Sequence, residues 1–250
     1  MPEHILSLSY GKDSLACLGA IEQLGWPLDR IVHAEVMATD TIPADLPVMM
    51  EFKMKADEII KKRYGIKVEH AHGKIAESII YHRRTKGNRV GQIAGWPMTS
   101  FSRGGRGCEL QKPCKVLLMP PDAIQYVGIA ADEQRRFNIL SDTKKSPLVE
   151  IGWTEDDCYQ WCKDNNLLSP LYSVAKRGGC FFCPNQGVDM LRSLRKQHPE
   201  LWGLMLKWDA DSPVSFKPDG HTVHDFDKRF QMEDDGLLPT DKRFLWKMIQ

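Results

Sequence analysis

With 250 residues, 42% of them hydrophobic, and a formal net charge of +1, the chain has material for one full core, with or without a small appendage. No apolar run approaches the roughly 18 residues of a membrane span, and the amino terminus lacks the basic-then-apolar order of a secretory signal, so a cytoplasmic location is expected. Near-neutral charge also removes any global argument for nucleic-acid binding.

In chain order, Ile5, Leu6 and Leu8 read as a strand, and Leu15, Leu18, Ala20, Ile21 and Leu24 repeat as a helix. Between them lies Ser9-Tyr10-Gly11-Lys12-Asp13-Ser14. Glycine at a tight strand-to-helix bend lets the backbone approach an anion, the amides of a helix start face it, and Ser9 and Ser14 add hydroxyl donors. The segment predicts nucleotide binding by Ser9, Tyr10, Gly11, Lys12, Asp13 and Ser14. It is not the common G-x-x-x-x-G-K-[ST] loop, because only one glycine is present. The competing reading is an ordinary polar turn in which Asp13 or Ser14 caps the helix.

A second buried strand is expected over Ile31–Met37, followed by a polar loop from Ala38 to Asp45 and a helix closed at Gly65 after Tyr64. Met37 and Asp40 are taken as nucleotide contacts at this second strand end, although Asp40 suits a ribose, Mg²⁺ or a plain turn equally. A short strand, Ile66–His70, follows. From His82 to Arg106 the chain carries Arg83, Arg84, Lys86, Arg89, Arg103 and Arg106 with no acidic residue, suiting either an anionic partner or a solvated loop.

Another strand is expected over Ala123–Ile129, leading into Gly128-Ile129-Ala130-Ala131-Asp132-Glu133-Gln134-Arg135-Arg136. Arg135 and Arg136 offer planar, permanently charged forks for phosphate oxygens, with Gly128 at the turn. Asp132 and Glu133 can orient those arginines or hold Mg²⁺. A salt-bridged helix start on the surface has the same composition. Alternating strands and helices imply parallel βαβ units, whose ligands sit beyond the carboxyl ends of the strands. The loops Ser9–Ser14, Ala38–Asp45 and Ala130–Asn138 are therefore expected to converge on one nucleotide.

Cys108 and Cys114 frame Glu-Leu-Gln-Lys-Pro, and Cys180-Phe181-Phe182-Cys183-Pro184 is a C-x-x-C. Four thiolates in two close pairs suit a structural Zn²⁺ or a [4Fe-4S] cluster, with a redox pair or unligated thiols as the remaining reading, and spacing alone does not separate them. Cys17, in the helix after the loop, and Cys158 and Cys162, at helical spacing from each other, suit buried packing. From Val188 onward, Leu191, Leu194, Leu201, Trp202, Leu204, Met205, Leu206 and Trp208 suggest one or two packed helices. His221 and His224 suit metal binding, acid–base work or plain solvation.

The S-x-G-x-D-S arrangement of Ser9 to Ser14 resembles the PP-loop of ATP pyrophosphatases. Together with Gly128–Arg136, the Ser146–Thr154 segment and Cys180–Pro184, the chain resembles the phosphoadenosine phosphosulfate reductase-like branch of that superfamily over roughly residues 1 to 190. The resemblance implies an α/β, Rossmann-like, parallel-sheet fold of the adenine nucleotide alpha hydrolase type. It divides the chain into a nucleotide-binding domain with a Cys metal subsite over 1–187 and a helical extension over 188–250. It implies ATP and Mg²⁺ as ligands, adenylation of a substrate with release of pyrophosphate, and Lys12, Asp13, Arg135 and Arg136 as the catalytic residues. By the same resemblance Cys108, Cys114, Cys180 and Cys183 hold [4Fe-4S], with Zn²⁺ as the alternative. A sulfur donor such as a cysteine desulfurase and a nucleic-acid acceptor meeting Arg83 to Arg106 are the implied partners, and an oligomer is left open. The name-giving reductases attack sulfur with a cysteine near the carboxyl terminus, whereas no cysteine follows Cys183 here. Sulfonucleotide reduction is therefore the second reading, and a non-catalytic nucleotide sensor the third.

Overall fold

The computed structural model describes residues 2–96, 119–173 and 178–240. Its elements are β1 His4–Leu8, α1 Lys12–Leu24, β2 Arg30–Met37, α2 Pro47–Tyr64, β3 Val68–Ile75, α3 Ala76–Ile80, β4 Ile124–Tyr126, α4 Gln134–Phe137 and β5 Lys144–Lys145. There follow α5 Pro147–Glu150, α6 Glu155–Asp164, a 3-10 turn at Pro170–Ser173, α7 Val188–Gln197, α8 Pro199–Asp211 and α9 Val223–Asp234. The strands form one sheet in the order β3-β2-β1-β4-β5. β1 runs parallel to β2 and to β4, and β4 runs parallel to β5. The expected α/β fold with a parallel sheet is what the chain adopts.

β1 and β2 read as largely apolar runs because they are buried on both faces. Ile5 and Val32 cluster with Ala123 on one face. Leu6, Leu8 and Ile31, alternate to those residues, are equally buried on the other. α1 begins with Gly11 in the cap position and ends at Gly25, in the left-handed conformation. It packs on α5 and α6. That packing is close at Gly19, where a Cβ would stand 2.3 Å from the Trp161 indole nitrogen. α6 is started by a capping box between Thr154 and Asp157, which satisfies two backbone donors reciprocally.

β4 is shorter than the sequence suggests. It ends at Tyr126, and Gly128, two residues on, lies against the backbone of Asp13 and Ser14. The chain must leave the sheet there because the start of α1 occupies the space. β3 also differs, running from Val68 to Ile75.

The contacts divide the chain into two units that interleave along the sequence. The first takes the residues up to Glu35, Leu46–Gly73 and the described part of Gln111–Gly178. The second takes Val36–Asp45, the described part of Lys74–Leu110 and the described part of Gly179–Gln250. The segment after Val188 thus shares its unit with pieces from the first half of the chain.

Within the second unit, three helices occupy Val188 to Asp234 where one or two were expected. Trp202 and Trp208 are core residues, as their spacing suggests. Trp96 packs edge-on against Trp208 and Phe216, and its indole N–H donates to Asp209 at 2.9 Å. Glu233 accepts from Arg192 at 2.7 Å and Arg229 at 2.9 Å, tying α7 to α9 and bracing α9 internally. Among the described residues, no helix is long and apolar enough to cross a membrane.

Candidate nucleotide site

In a sheet ordered 3-2-1-4-5, the chain leaves β1 toward one edge and returns at β4 on the other side. The carboxyl ends of β1 and β4 therefore flank a topological switch point, where open α/β sheets bind ligands. Ser9–Ser14 occupies the β1 side of that point and Gly128 the β4 side.

The loop is closed on itself. Ser14 Oγ donates to Gly11 O at 2.9 Å and accepts from the Ser9 amide at 3.1 Å, while Ser9 Oγ lies 3.0 Å from Ser14 Oγ. The Lys12 amide donates to the Tyr172 hydroxyl at 3.0 Å. No side chain caps the first turn of α1, so neither Asp13 nor Ser14 plays the capping role of the polar-turn alternative. Such a helix start favours an anion through its amides and its dipole.

Tyr10 adopts φ of +56°, a conformation that costs a non-glycine residue roughly 1–2 kcal/mol. Its buried ring holds it there. The hydroxyl donates to Asp57 at 2.5 Å, and the ring meets His33 edge-on at 4.8 Å between centroids. Strain of this kind persists only where the surroundings over-determine it.

Lys12 is buried, with its ammonium 2.7 Å from Asp13 and 3.0 Å from Glu155. Burial alone would lower the Lys12 pKa, but the hydrogen bond and charge of Asp13, with Glu155 behind it, raise it. Burial raises the Asp13 pKa against the pull of Lys12, with Glu155 and Glu133 adding to the rise. Asp132 accepts from the Glu155 amide at 3.2 Å and so fixes the start of α6.

Glu133 holds Arg136 through both carboxylate oxygens at 2.7 Å. Of the two roles open to Glu133, orienting an arginine is the one its contacts serve. Arg135 is exposed and stands outside that pair. Gly128, Asp132, Glu133, Arg135 and Arg136 all belong to the unit that carries Ser9–Ser14.

Met37 and Asp40 belong to the second unit. Met37 bridges to Pro43 across a turn whose amides at Thr41 and Ile42 donate to the Thr39 hydroxyl, and Asp40 is exposed at its tip. Cys180 and Cys183 also lie in the second unit, joined by a hydrogen bond from the Cys183 amide to the Cys180 carbonyl at 3.0 Å. Cys108 and Cys114 lie outside the described residues, as do Arg103 and Arg106. Arg83, Arg84, Lys86 and Arg89 sit on a hairpin closed by the antiparallel bridge of Arg83 with Ile93, and Lys86 and Arg89 are exposed.

Cys17, Cys158 and Cys162 are fully buried. Burial pushes the Cys162 thiol up to about 12, and it donates to Lys12 O at 3.2 Å. His221 and His224 flank Thr222, which caps α9 with Asp225 in a capping box. His224 pairs with Asp209 at 2.6 Å and His221 with Asp219 at 2.9 Å.

Several residues near the loop carried no sequence motif: His33, Glu35, Lys53, Asp57, His70, Glu155 and Tyr172. A signal did exist for two of them. His33 and Glu35 are charged or polar at alternate positions of a strand that is otherwise apolar after Arg30, and buried polar residues need partners. His70 finds its own in Asp57 and Glu35, whose hydrogen bonds outweigh burial and raise its pKa to about 9.

No protein-family model matches the chain, and no curated protein matches it. Among solved structures it is similar to the U34-tRNA thiolase NcsA from Methanococcus maripaludis with its [4Fe-4S] cluster. The identity is 13% and the TM-score 0.42, over 91% of this chain and 80% of that one.

Proposed function

We propose that the chain is an ATP-using enzyme of the PP-loop type that adenylates an acceptor and releases pyrophosphate. The observation that carries this reading is the place of Ser9–Ser14, at the switch point of the sheet, where it opens α1 with no side-chain cap.

The triphosphate accepts hydrogen bonds from the first-turn amides of α1 and from Ser9 and Ser14, whose hydroxyls exchange their mutual bonds for phosphate oxygens. Lys12 leaves Asp13 and Glu155 for the leaving phosphates, where its charge offsets the negative charge that develops. Asp13, released from Lys12, is the carboxylate we assign to Mg²⁺, which when bound neutralises phosphate oxygens. An acceptor oxygen attacks the α phosphorus, the bond from that phosphorus to the bridging oxygen breaks, and pyrophosphate leaves with the electron pair. The acceptor proton passes to solvent. Arg135, outside the Glu133 pair, meets the α phosphate, and Arg136 stays braced by Glu133.

The acceptor and the second half of the reaction rest on the resemblance. We assign a nucleic-acid acceptor to the hairpin bearing Arg83, Arg84, Lys86 and Arg89, and Cys108, Cys114, Cys180 and Cys183 to one metal centre. The tight turn at Cys180–Cys183 fits paired thiolate ligation. A [4Fe-4S] centre there, when bound, supplies a position for sulfur, with a cysteine desulfurase as the class of donor.

The test is product analysis with ATP, Mg²⁺ and candidate nucleic acids under anaerobic conditions. Equal amounts of AMP and pyrophosphate, lost in Lys12→Ala, are expected. ADP as product, or unchanged turnover in Lys12→Ala, overturns the assignment.

A further inference from the structure

Beneath the loop, the face of β2 that turns toward α2 carries a cluster that the adenylation reading does not use. Residues two apart on a strand share a face, which brings His33 and Glu35 together, and His70 joins them from neighbouring β3. One ligand atom from each of the three lies within 4.8 Å of the other two. From this geometry we infer that His33, Glu35 and His70 form a site for a divalent transition-metal ion of the zinc class.

The orientation of the rings supports the site. His33 Nδ1 lies 2.9 Å from Leu8 O. A carbonyl only accepts, so Nδ1 keeps the proton and Nε2 turns inward as a lone pair. His70 Nε2 lies 2.8 Å from Asp57 Oδ2, which leaves His70 Nδ1 facing inward. Both histidines thus hold an outer nitrogen on an oxygen acceptor and aim the inner one at Glu35 Oε2. Outer partners of this type orient metal-binding imidazoles. Tyr10 in turn fixes Asp57 through its hydroxyl.

The spacing supports it too. Donors bound at about 2.0–2.1 Å around a tetrahedral ion stand roughly 3.3 Å apart. Glu35 Oε2 is 3.3 Å from His33 Nε2 and 3.6 Å from His70 Nδ1. Two imidazole nitrogens and one carboxylate are a borderline donor set that suits zinc and its neighbours, and three protein ligands leave one position open. His33 and Glu35 are buried, whereas the His70 and Asp57 side chains are 33% and 29% exposed, which provides an entry side.

A cation already occupies the inner edge of the cluster. Lys53 Nζ lies 2.8 Å from Glu35 Oε1 and 3.0 Å from His33 Nε2, and the side chain is buried. The cluster therefore stabilises positive charge at the place an ion would take. Lys53 competes for the same nitrogen, so the entering ion displaces the ammonium, and His70 Nδ1 enters the coordination without a proton. A bound ion would also stiffen Asp57 and, through it, strained Tyr10 of the loop.

Cobalt(II) titration of the full chain, read by absorption, tests the site: tetrahedral cobalt gives visible bands with either kind of ligand, but thiolates add intense near-ultraviolet charge transfer, so the visible bands read are those that grow in without it. The visible bands are expected in the native chain and more strongly in Lys53→Met, and absent from Glu35→Gln and His70→Ala. Asp57→Asn should weaken cobalt affinity by about 10–100-fold. His70 is partly exposed, so His70→Ala keeps a folded reference, checked by circular dichroism. Absence of the visible bands from both the native chain and Lys53→Met overturns the site, as does their persistence in folded His70→Ala.

Discussion

Gly128 and Ser14 are in backbone contact: a Cβ on Gly128 would stand 2.5 Å from Ser14 N and 2.7 Å from Asp13 C. The contact joins the end of β4 to the start of α1, and so sets the width of the switch point in which the loop sits. Backbone atoms on both sides cannot rotate away as a side chain would. Gly128→Ala should therefore destabilise the first unit by about 1–3 kcal/mol, the usual cost of overpacking. Denaturant unfolding reads that loss, and ATP binding by calorimetry should weaken in the same variant. Unchanged stability and unchanged ATP affinity together would show that the contact is not needed.

Lys12 and Glu155 are joined across the loop, and the proposed reaction requires Lys12 to leave that pair. Glu155→Gln removes one carboxylate while Asp13 still holds the ammonium. Its expected effect is tighter ATP binding, since one competing anion is gone, with pyrophosphate release retained. Lys12→Ala should abolish release. Binding by calorimetry and product by chromatography separate the two effects.

The two arginines should differ. Arg136 is held by both oxygens of Glu133, whereas Arg135 is exposed outside that pair. Arg135→Ala is expected to lower the rate of pyrophosphate release by about 10²–10³-fold, the range for losing one charge-stabilising donor. Arg136→Ala should cost less. Equal losses in steady-state assays would remove the distinction.

Glu233 links stability to acid. Burial pushes its pKa up, but the hydrogen bonds of Arg192 and Arg229 reverse this and hold it below the ordinary glutamate value of 4.5. A carboxylate depressed in the folded state contributes stability that is present above the unfolded pKa and is lost as pH falls through the folded one. Glu233→Gln should therefore cost about 3–5 kcal/mol at neutral pH, because it strands buried arginine charge. The difference from the native chain should shrink once pH falls below 4.5. Urea unfolding at a series of pH values measures both.

Cysteine ligation is tested by metal content. Anaerobically purified chain is expected to carry about four iron and four sulfide, or, as the alternative, about one zinc. Cys180→Ser should lose the iron and sulfide, or the zinc. Retention of full metal content in that variant would remove Cys180 from the ligand set.

The strand-to-helix signal around Ser9–Ser14 is local, and so it was legible along the chain. Apolar runs report strands buried on both faces, a 3.6-residue repeat reports α1, and Gly65 reports the end of α2, because each depends on neighbours a few residues away. The paired cysteines and the basic run were equally visible as composition. The shortening of β4 was not, since it follows from Gly128 meeting Ser14, residues far apart in sequence. Nor was the fate of Lys12, whose partner Glu155 comes from α6, or of His221 and His224, which flank a helix cap. Tyr10 reads along the chain only as one more nucleotide contact of the loop, and nothing there announces that Asp57 of α2 and His33 of β2 hold it in a strained conformation.

Residue order by itself thus determined the alternation of strands and helices and the strand-to-helix turn at Ser9–Ser14, since periodicity and turn chemistry act over single elements. Only the tertiary structure decided which charges meet, bringing Lys12 to Glu155, Lys53 to His33 and Glu35, and His70 to Asp57. Ion pairs and ligand sets depend on distances of a few ångströms between elements, and those distances are set by how the sheet and helices pack.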